Sequence, residues 1–364
     1  MHLNLALEED GVEVTESDLG EYIIQVAGEP PSHIIVPAMH KNRQQIADLF
    51  TPMAGQPLAS DTPTLTHFVR KRMRQKFLEG AIGITGCNFA VADTGSIAIV
   101  TNEGNGRMVS TLPPVQITFM GMERIVPSFR ELAILLNLLP RSATGQSLSA
   151  YTTIMTPPRR FREADGPEEF HLIILDHNRS EMLGDPTFRP ALRCIRCGAC
   201  FNVCPVYRQV GGHAYGSVYA GPIGAVITPL LENDWEQWGH LPMYSSLCGA
   251  CSEACPVRIP LHDLLVKLRN RKVLAGHSTA LERTAFRTYR YYFTHPRVLR
   301  RVLHWGARGQ RFFMRHGRIV TGPIPLNNWT RSRTLTPIAK LTFEDLWPNL
   351  EQELKKISKR GNAQ

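Results

Sequence analysis

Two short cysteine runs constrain this chain more than anything else in it. The first reads C-I-R-C-G-A-C-F-N-V-C-P and contains Cys194, Cys197, Cys200, Cys204 and Pro205. After 42 intervening residues the second reads C-G-A-C-S-E-A-C-P, with Cys248, Cys251, Cys255 and Pro256. Seven of the eight cysteines lie in these runs. The C-x2-C-x2-C-x3-C-P spacing of the first is that of two-cluster ferredoxins.

The spacing follows from the shape of an iron–sulfur cubane. Three thiolates two residues apart let one tight loop wrap several faces of it. The longer step and the proline then carry the fourth cysteine away, because proline has no N–H and restricts its predecessor. In such folds the fourth cysteine serves the other cluster. The expected sites are therefore Cys194, Cys197, Cys200 and Cys255 around one [4Fe–4S] cluster, and Cys204, Cys248 and Cys251 around a second. Gly198, Ala199, Gly249 and Ala250 are small enough to leave backbone N–H groups facing cluster sulfurs. The alternative is structural zinc, but zinc ribbons offer C-x2-4-C pairs rather than a four-cysteine run ending in proline. A disulfide framework belongs to small secreted chains.

At 364 residues the chain is long enough for two or three domains with a buried core. Its N-terminus, M-H-L-N-L-A-L-E-E-D, lacks the basic and apolar regions of a signal peptide. No apolar run reaches membrane-spanning length. Clustered thiols without an export signal point to a reducing cytoplasm. The net charge is +9, yet Lys267–Arg318 alone holds 14 Lys or Arg against one acid, Glu282. The basicity belongs to that segment, and the remainder is mildly acidic.

The pattern from residue 1 to 177 alternates between strand and helix and predicts an α/β layer domain. Val12–Val14, Tyr22–Val26, His33–Val36, Asn88–Ala92, Ser96–Thr101, Gln116–Met120 and Phe170–Leu175 read as strands. Thr64–Leu78 reads as a helix started by Asp61, Thr62 and Pro63, and Glu131–Leu139 as a helix closed by Pro140. Residues 178–275 form the expected two-cluster ferredoxin-like domain, ending in a helix with a Leu261, Leu264, Leu265, Leu268 stripe. Residues 276–364 form a basic helical C-terminal region: two helices broken near Pro296 and Gly306–Gly309, then an amphipathic pattern over Phe343–Ile357.

Other candidates are weaker. Asp93-Thr94-Gly95 resembles one half of an aspartic protease site, but such a site needs two carboxylates. A strand–turn–strand hairpin with an unusual Gly95 backbone is the plainer reading. Asn102–Arg107, with two glycines, is read as a hairpin turn more readily than as an anion loop. Cys87 reads as a small buried hydrophobe. His213, Tyr215 and Tyr219 sit on the glycine-rich connector Gly211–Gly224, read as a turn over the second cluster. Basic residues interleaved with Tyr289, Tyr291, Trp305 and Phe312 suit an acidic partner, an anionic membrane surface or nucleic acid, in that order.

Several long stretches resemble the lactate utilization protein B family of iron–sulfur subunits. They are Asp18–Ala38, Ile84–Asn105, the two cysteine runs, G-G-H-A-Y-G and N-N-W-T-R-S-R. The resemblance covers nearly the whole chain, and all seven family cluster cysteines match. It implies a CoA-transferase-like LUD layer in 1–177. Relatives begin with a further N-terminal stretch, so this domain is expected to be partial. Ser245 stands three residues before Cys248, where a ferredoxin has cysteine, and the family shares that absence. The implied function is an electron-transfer subunit for oxidation of L-lactate to pyruvate, working through two [4Fe–4S] clusters. Its implied partners are the other two subunits of that system and an electron acceptor. The expected location is the cytoplasm, with the inner membrane face as a peripheral option and no nucleic acid. Two alternatives remain: organic-acid catalysis near Asp93, Glu103 and Arg107, and a zinc-stabilised nucleic-acid-binding module.

Overall fold

Capping decides the N-terminal third. Asp18 Oδ1 accepts from the backbone N–H groups of Gly20 at 2.8 Å and Glu21 at 3.2 Å. This starts a helix over Leu19–Ala27, which Gly28 ends in the left-handed region at φ 65°. Tyr22–Val26, expected as a strand, is therefore helical: two strong caps outweigh the β preference of Tyr, Ile and Val. Tyr22, Ile23 and Ile24 are buried against Phe50, Leu65, Val69 and Met73. His33–Val36 is a turn rather than a strand, because His33 Nδ1 accepts the N–H groups of Ile35 and Val36 at 3.0 and 3.2 Å. Val12–Val14 is also irregular, and Val14 O accepts from the Gln25 side chain at 2.9 Å.

The computed structural model describes residues 2–322 and 327–361. They divide into two compact units, Met1–His277 and Ser278–Gln364. In the first, the helix Thr62–Glu79 matches expectation: Asp61 caps Thr64 N–H, Pro63 stands in the first turn, and Leu65, Val69 and Met73 are buried. Two sheets follow. One is parallel, in the order β1 (Ile82–Gly86), β4 (Val115–Gly121), β7 (Glu169–Leu175). The other has the order β5 (Ile125–Val126), β2 (Phe89–Val91), β3 (Ser96–Thr101), β6 (Tyr151–Met155). β2 and β3 form an antiparallel hairpin over Asp93–Gly95, with Gly95 at φ 69°. The α/β fold class stands.

Two local expectations fail here. Asn102–Arg107 does not turn back as a hairpin: Gly104, at φ 74°, leads into a helix over Asn105–Thr111. Pro140 does not close its helix, which runs Phe129–Thr144 and ends at Gly145. A capping box between Ser128 and Glu131 and the burial of Leu132, Leu139 and Pro140 offset the one backbone hydrogen bond a proline removes.

The cysteine region folds around two helices. Gly221–Glu232 is buried along nearly its whole length. Leu261–Leu274 buries Leu261, Leu264, Leu265 and Leu268 against Phe188, Phe201 and Leu241, so the expected leucine stripe is the core face. The turn at residues 30–37 docks onto this region. Tyr207 Oη donates to Ser32 O at 2.7 Å, and His213 Nε2 donates to Pro30 O at 2.8 Å. A Cβ at Gly212 would collide with Ser32 O, so only glycine permits this approach.

The second unit carries the expected basic helices, Ala280–Thr294 and Pro296–Gly309, separated at His295. A small ribbon of β8 (Met314–Arg315) and β9 (Arg318–Ile319) follows, then a helix over Phe343–Gly361. Among the described residues no helix is long and apolar enough to cross a membrane.

Candidate metal centre

The two C-G-A-C segments have the same local build. Arg196 and Leu247, immediately before Cys197 and Cys248, both adopt positive φ, 61° and 56°. Gly198 and Gly249 follow at φ 72° and 84°, and each caps a short helix, Ala199–Val203 or Ala250–Glu253. Bulky residues rarely hold positive φ, so their pairing at matched positions marks one repeated loop shape. Backbone N–H groups also reach sulfur just beyond each Cys-Pro step. Tyr207 N–H donates to Cys204 Sγ at 3.5 Å and Ile259 N–H to Cys255 Sγ at 3.3 Å. At Gly198 the fit is close on the outer side as well, since an added Cβ would stand 3.1 Å from His33 Cε1.

Between the loops lies a cavity lined by Cys194, Cys197, Cys200 and Cys255, closed by Phe201, Ile223 and Ile259. The thiols line this space rather than meet at a point. Burial pushes the Cys200 thiol well up, and the charges of Cys194 and Cys197 push it further. Burial also raises Cys197, with Cys194 and Cys255 adding to it. Such crowded, buried thiols resist ionising together unless positive charge is placed among them, which a thiolate-bound metal supplies.

Cys251 belongs to the other group: burial raises it, followed by the charge of Cys204, with Cys248 a smaller contribution. Cys204 and Cys251 are buried, whereas Cys248 is exposed. The Ala250 N–H and then the Ser246 hydroxyl hold the Cys248 thiol below its usual range. Ser245 occupies the place in this repeat that Cys194 has in the first. Its Oγ accepts Leu247 N–H at 3.1 Å, while Arg269 Nη2 holds Ser245 O at 3.2 Å. Four thiols around one cavity suit an iron–sulfur cubane, and the second set offers three.

The remaining candidates fall away from this centre. Asp93 is exposed on the β2–β3 turn, whereas Glu103 and Arg107 lie beyond the other end of β3. Six residues of strand separate them, roughly 20 Å. Cys87 packs with Ala90, Ile97, Ile99 and Met120, and burial raises its pKa to about 11, as for a small core hydrophobe. Two further features near the thiols are set by packing. Tyr215 is buried with its hydroxyl unpartnered, and burial followed by the Cys204 charge raises its pKa. Glu123 gathers Arg124, Arg179 and Arg196 beside the first loop. The partners come from distant stretches, and no pattern in the sequence singled them out.

Residues 3–175 match the LUD domain and residues 190–259 match a 4Fe-4S dicluster domain. Fold and site thus define an iron–sulfur protein in which a LUD-type α/β layer is joined to a domain carrying two [4Fe–4S] clusters. Lactate utilization protein B of Bacillus licheniformis is 51% identical over 355 residues, covering 97% of this chain and 74% of the relative. The Bacillus subtilis protein of the same name is 50% identical over 353 residues, covering 96% and 73%. The chain belongs to the lactate utilization protein B family. A solved DUF162 family protein from Deinococcus radiodurans aligns at 19% identity with TM-score 0.22, over 42% of this chain and 92% of that one.

Proposed function

We propose that this chain is the electron-carrying subunit of a lactate-oxidising system. Cys194, Cys197, Cys200 and Cys255 hold the first cluster; Cys204, Cys248 and Cys251 hold the second. Oxidation of lactate to pyruvate releases two electrons and two protons, and [4Fe–4S] clusters supply one-electron carriers that separate the electrons in time. The protein's own contribution is insulation and access. Phe201, Ile223 and Ile259 keep water from the first thiol set, while exposed Cys248 turns the second toward a partner. The four-cysteine cavity, together with the dicluster match, is the observation that carries this reading. In this reading the other two subunits of the system and an electron acceptor are the partners, and the Lys267–Arg318 segment docks one of them, with a membrane surface second. Domain boundaries near residues 177 and 275 accompany the reading, supported by the matched ranges and the unit boundary at Ser278.

Anaerobic purification should give brown protein with roughly seven to eight irons per chain. Stoichiometric zinc without iron would overturn the assignment. Cys255→Ala should remove the first cluster's signal and leave the second. If it removed the cluster that Cys204→Ala also removes, the crossed ligation would be wrong.

A further inference from the structure

Three arginines from separate parts of the chain converge on one buried carboxylate. Arg179 Nε lies 2.7 Å from Glu123 Oε2, while Arg196 Nη2 and Arg124 Nε lie 3.4 and 3.8 Å from Oε1. The Glu123 and Arg179 side chains are 5% and 7% exposed, and those of Arg124 and Arg196 are 11% and 15%. One carboxylate cannot neutralise three guanidinium groups, so positive charge is left over where solvation is poor. Arg196 Nη1 is buried with no partner. The Arg196 guanidinium also stacks over Tyr219 at 4.1 Å, which fixes its plane.

The surplus charge faces the first thiol set. Arg196 lies two residues after Cys194 and lines the same cavity as the four cysteines. Arginine keeps its charge in proteins, so this guanidinium places a cation beside the thiols. A cubane held by four thiolates is dianionic when oxidised and trianionic when reduced, so a nearby cation favours the reduced form. The second repeat has no such cation at the matching place: the residue there is Leu247, with the same backbone turn.

We propose that Arg196 raises the reduction potential of the cluster at Cys194, Cys197, Cys200 and Cys255, making that cluster the inner electron store of the pair. This rests on the ligand assignment above. Arg196 is thus a positioning residue for charge, and Glu123 and Arg179 hold it there.

The test is a redox titration of the full chain, purified anaerobically and followed by electron paramagnetic resonance. Arg196→Asn removes the charge with a residue that tolerates positive φ. It should lower the first cluster's reduced-to-oxidised ratio at fixed potential about tenfold, ~59 mV for one electron. Arg196→Lys should restore most of this, and the second cluster should not move. The mirror variant, Leu247→Arg, should raise the second cluster's potential, and it carries the test if Arg196→Asn loses iron. Equal falls in the Asn and Lys variants, or no shift in any of them, would overturn the charge role. If Arg196→Asn instead moved the signal that survives Cys255→Ala, the ligand assignment would be the part that failed.

Discussion

The difference between Ser245 and Cys194 is one atom, and it makes the two thiol sets unequal. Ser245 Oγ sits at the matching place in the repeat and accepts Leu247 N–H. A hydroxyl is a poorer iron ligand than a thiolate, so the second set has three strong donors. Mild ferricyanide oxidation should therefore leave one [3Fe–4S] signal per chain, and Ser245→Cys should suppress it. Persistence of the signal in Ser245→Cys would place the labile iron elsewhere. Glu21 is a second instructive residue. Burial, then the charges of Glu16 and Asp18, raise its pKa from 4.5 to about 7. The folded state thus holds a proton that the unfolded chain releases, and stability falls as pH rises through that window. Glu21→Gln should raise the melting temperature at pH 8 and leave it nearly unchanged at pH 4. Equal effects at both pH values would mean the gain is not electrostatic.

At the scale of elements, periodicity proved dependable where a single face is buried. Leu261, Leu264, Leu265 and Leu268 were read as one stripe, and in the structure all four are essentially inaccessible. Leu264→Ala should cost about 2–5 kcal/mol in denaturant unfolding and release iron at lower denaturant than the parent. A loss under about 0.5 kcal/mol would show that this helix is not the support of the cysteine loops. Strands were legible in β3, β4 and β7, where β-branched residues meet no competing cap. They were misread at Tyr22–Val26 and His33–Val36, where side chains supply backbone partners that a propensity scale does not register. Gly104 and Pro140 misled for a related reason: a turn residue or a proline shows that the backbone is constrained there, not how the chain continues beyond it.

For the whole molecule, the basic segment is the feature with the widest reach. Arg300 is already paired with Asp345, and His304 Nε2 lies 3.3 Å from the same carboxylate. Arg297, Arg301 and Arg308 are exposed on the same helix. Reversing these three to Glu should weaken association with an acidic partner and flatten its salt dependence, with iron content intact, given screening over ~10 Å at 0.1 M salt. Unchanged binding in pull-downs would rule out steering by this helix. The cofactor chemistry, the repeat of two cysteine loops and the family are legible in the chain alone, because ligand type and spacing are local and survive without coordinates. Long-range packing is what puts four cysteines from both runs around one cavity, leaves Cys248 exposed, and brings Glu123 and Arg179 to Arg196 beside Cys194. Those are contacts between residues far apart in the chain, formed by packing, and no local pattern encodes which distant charge arrives beside which thiol.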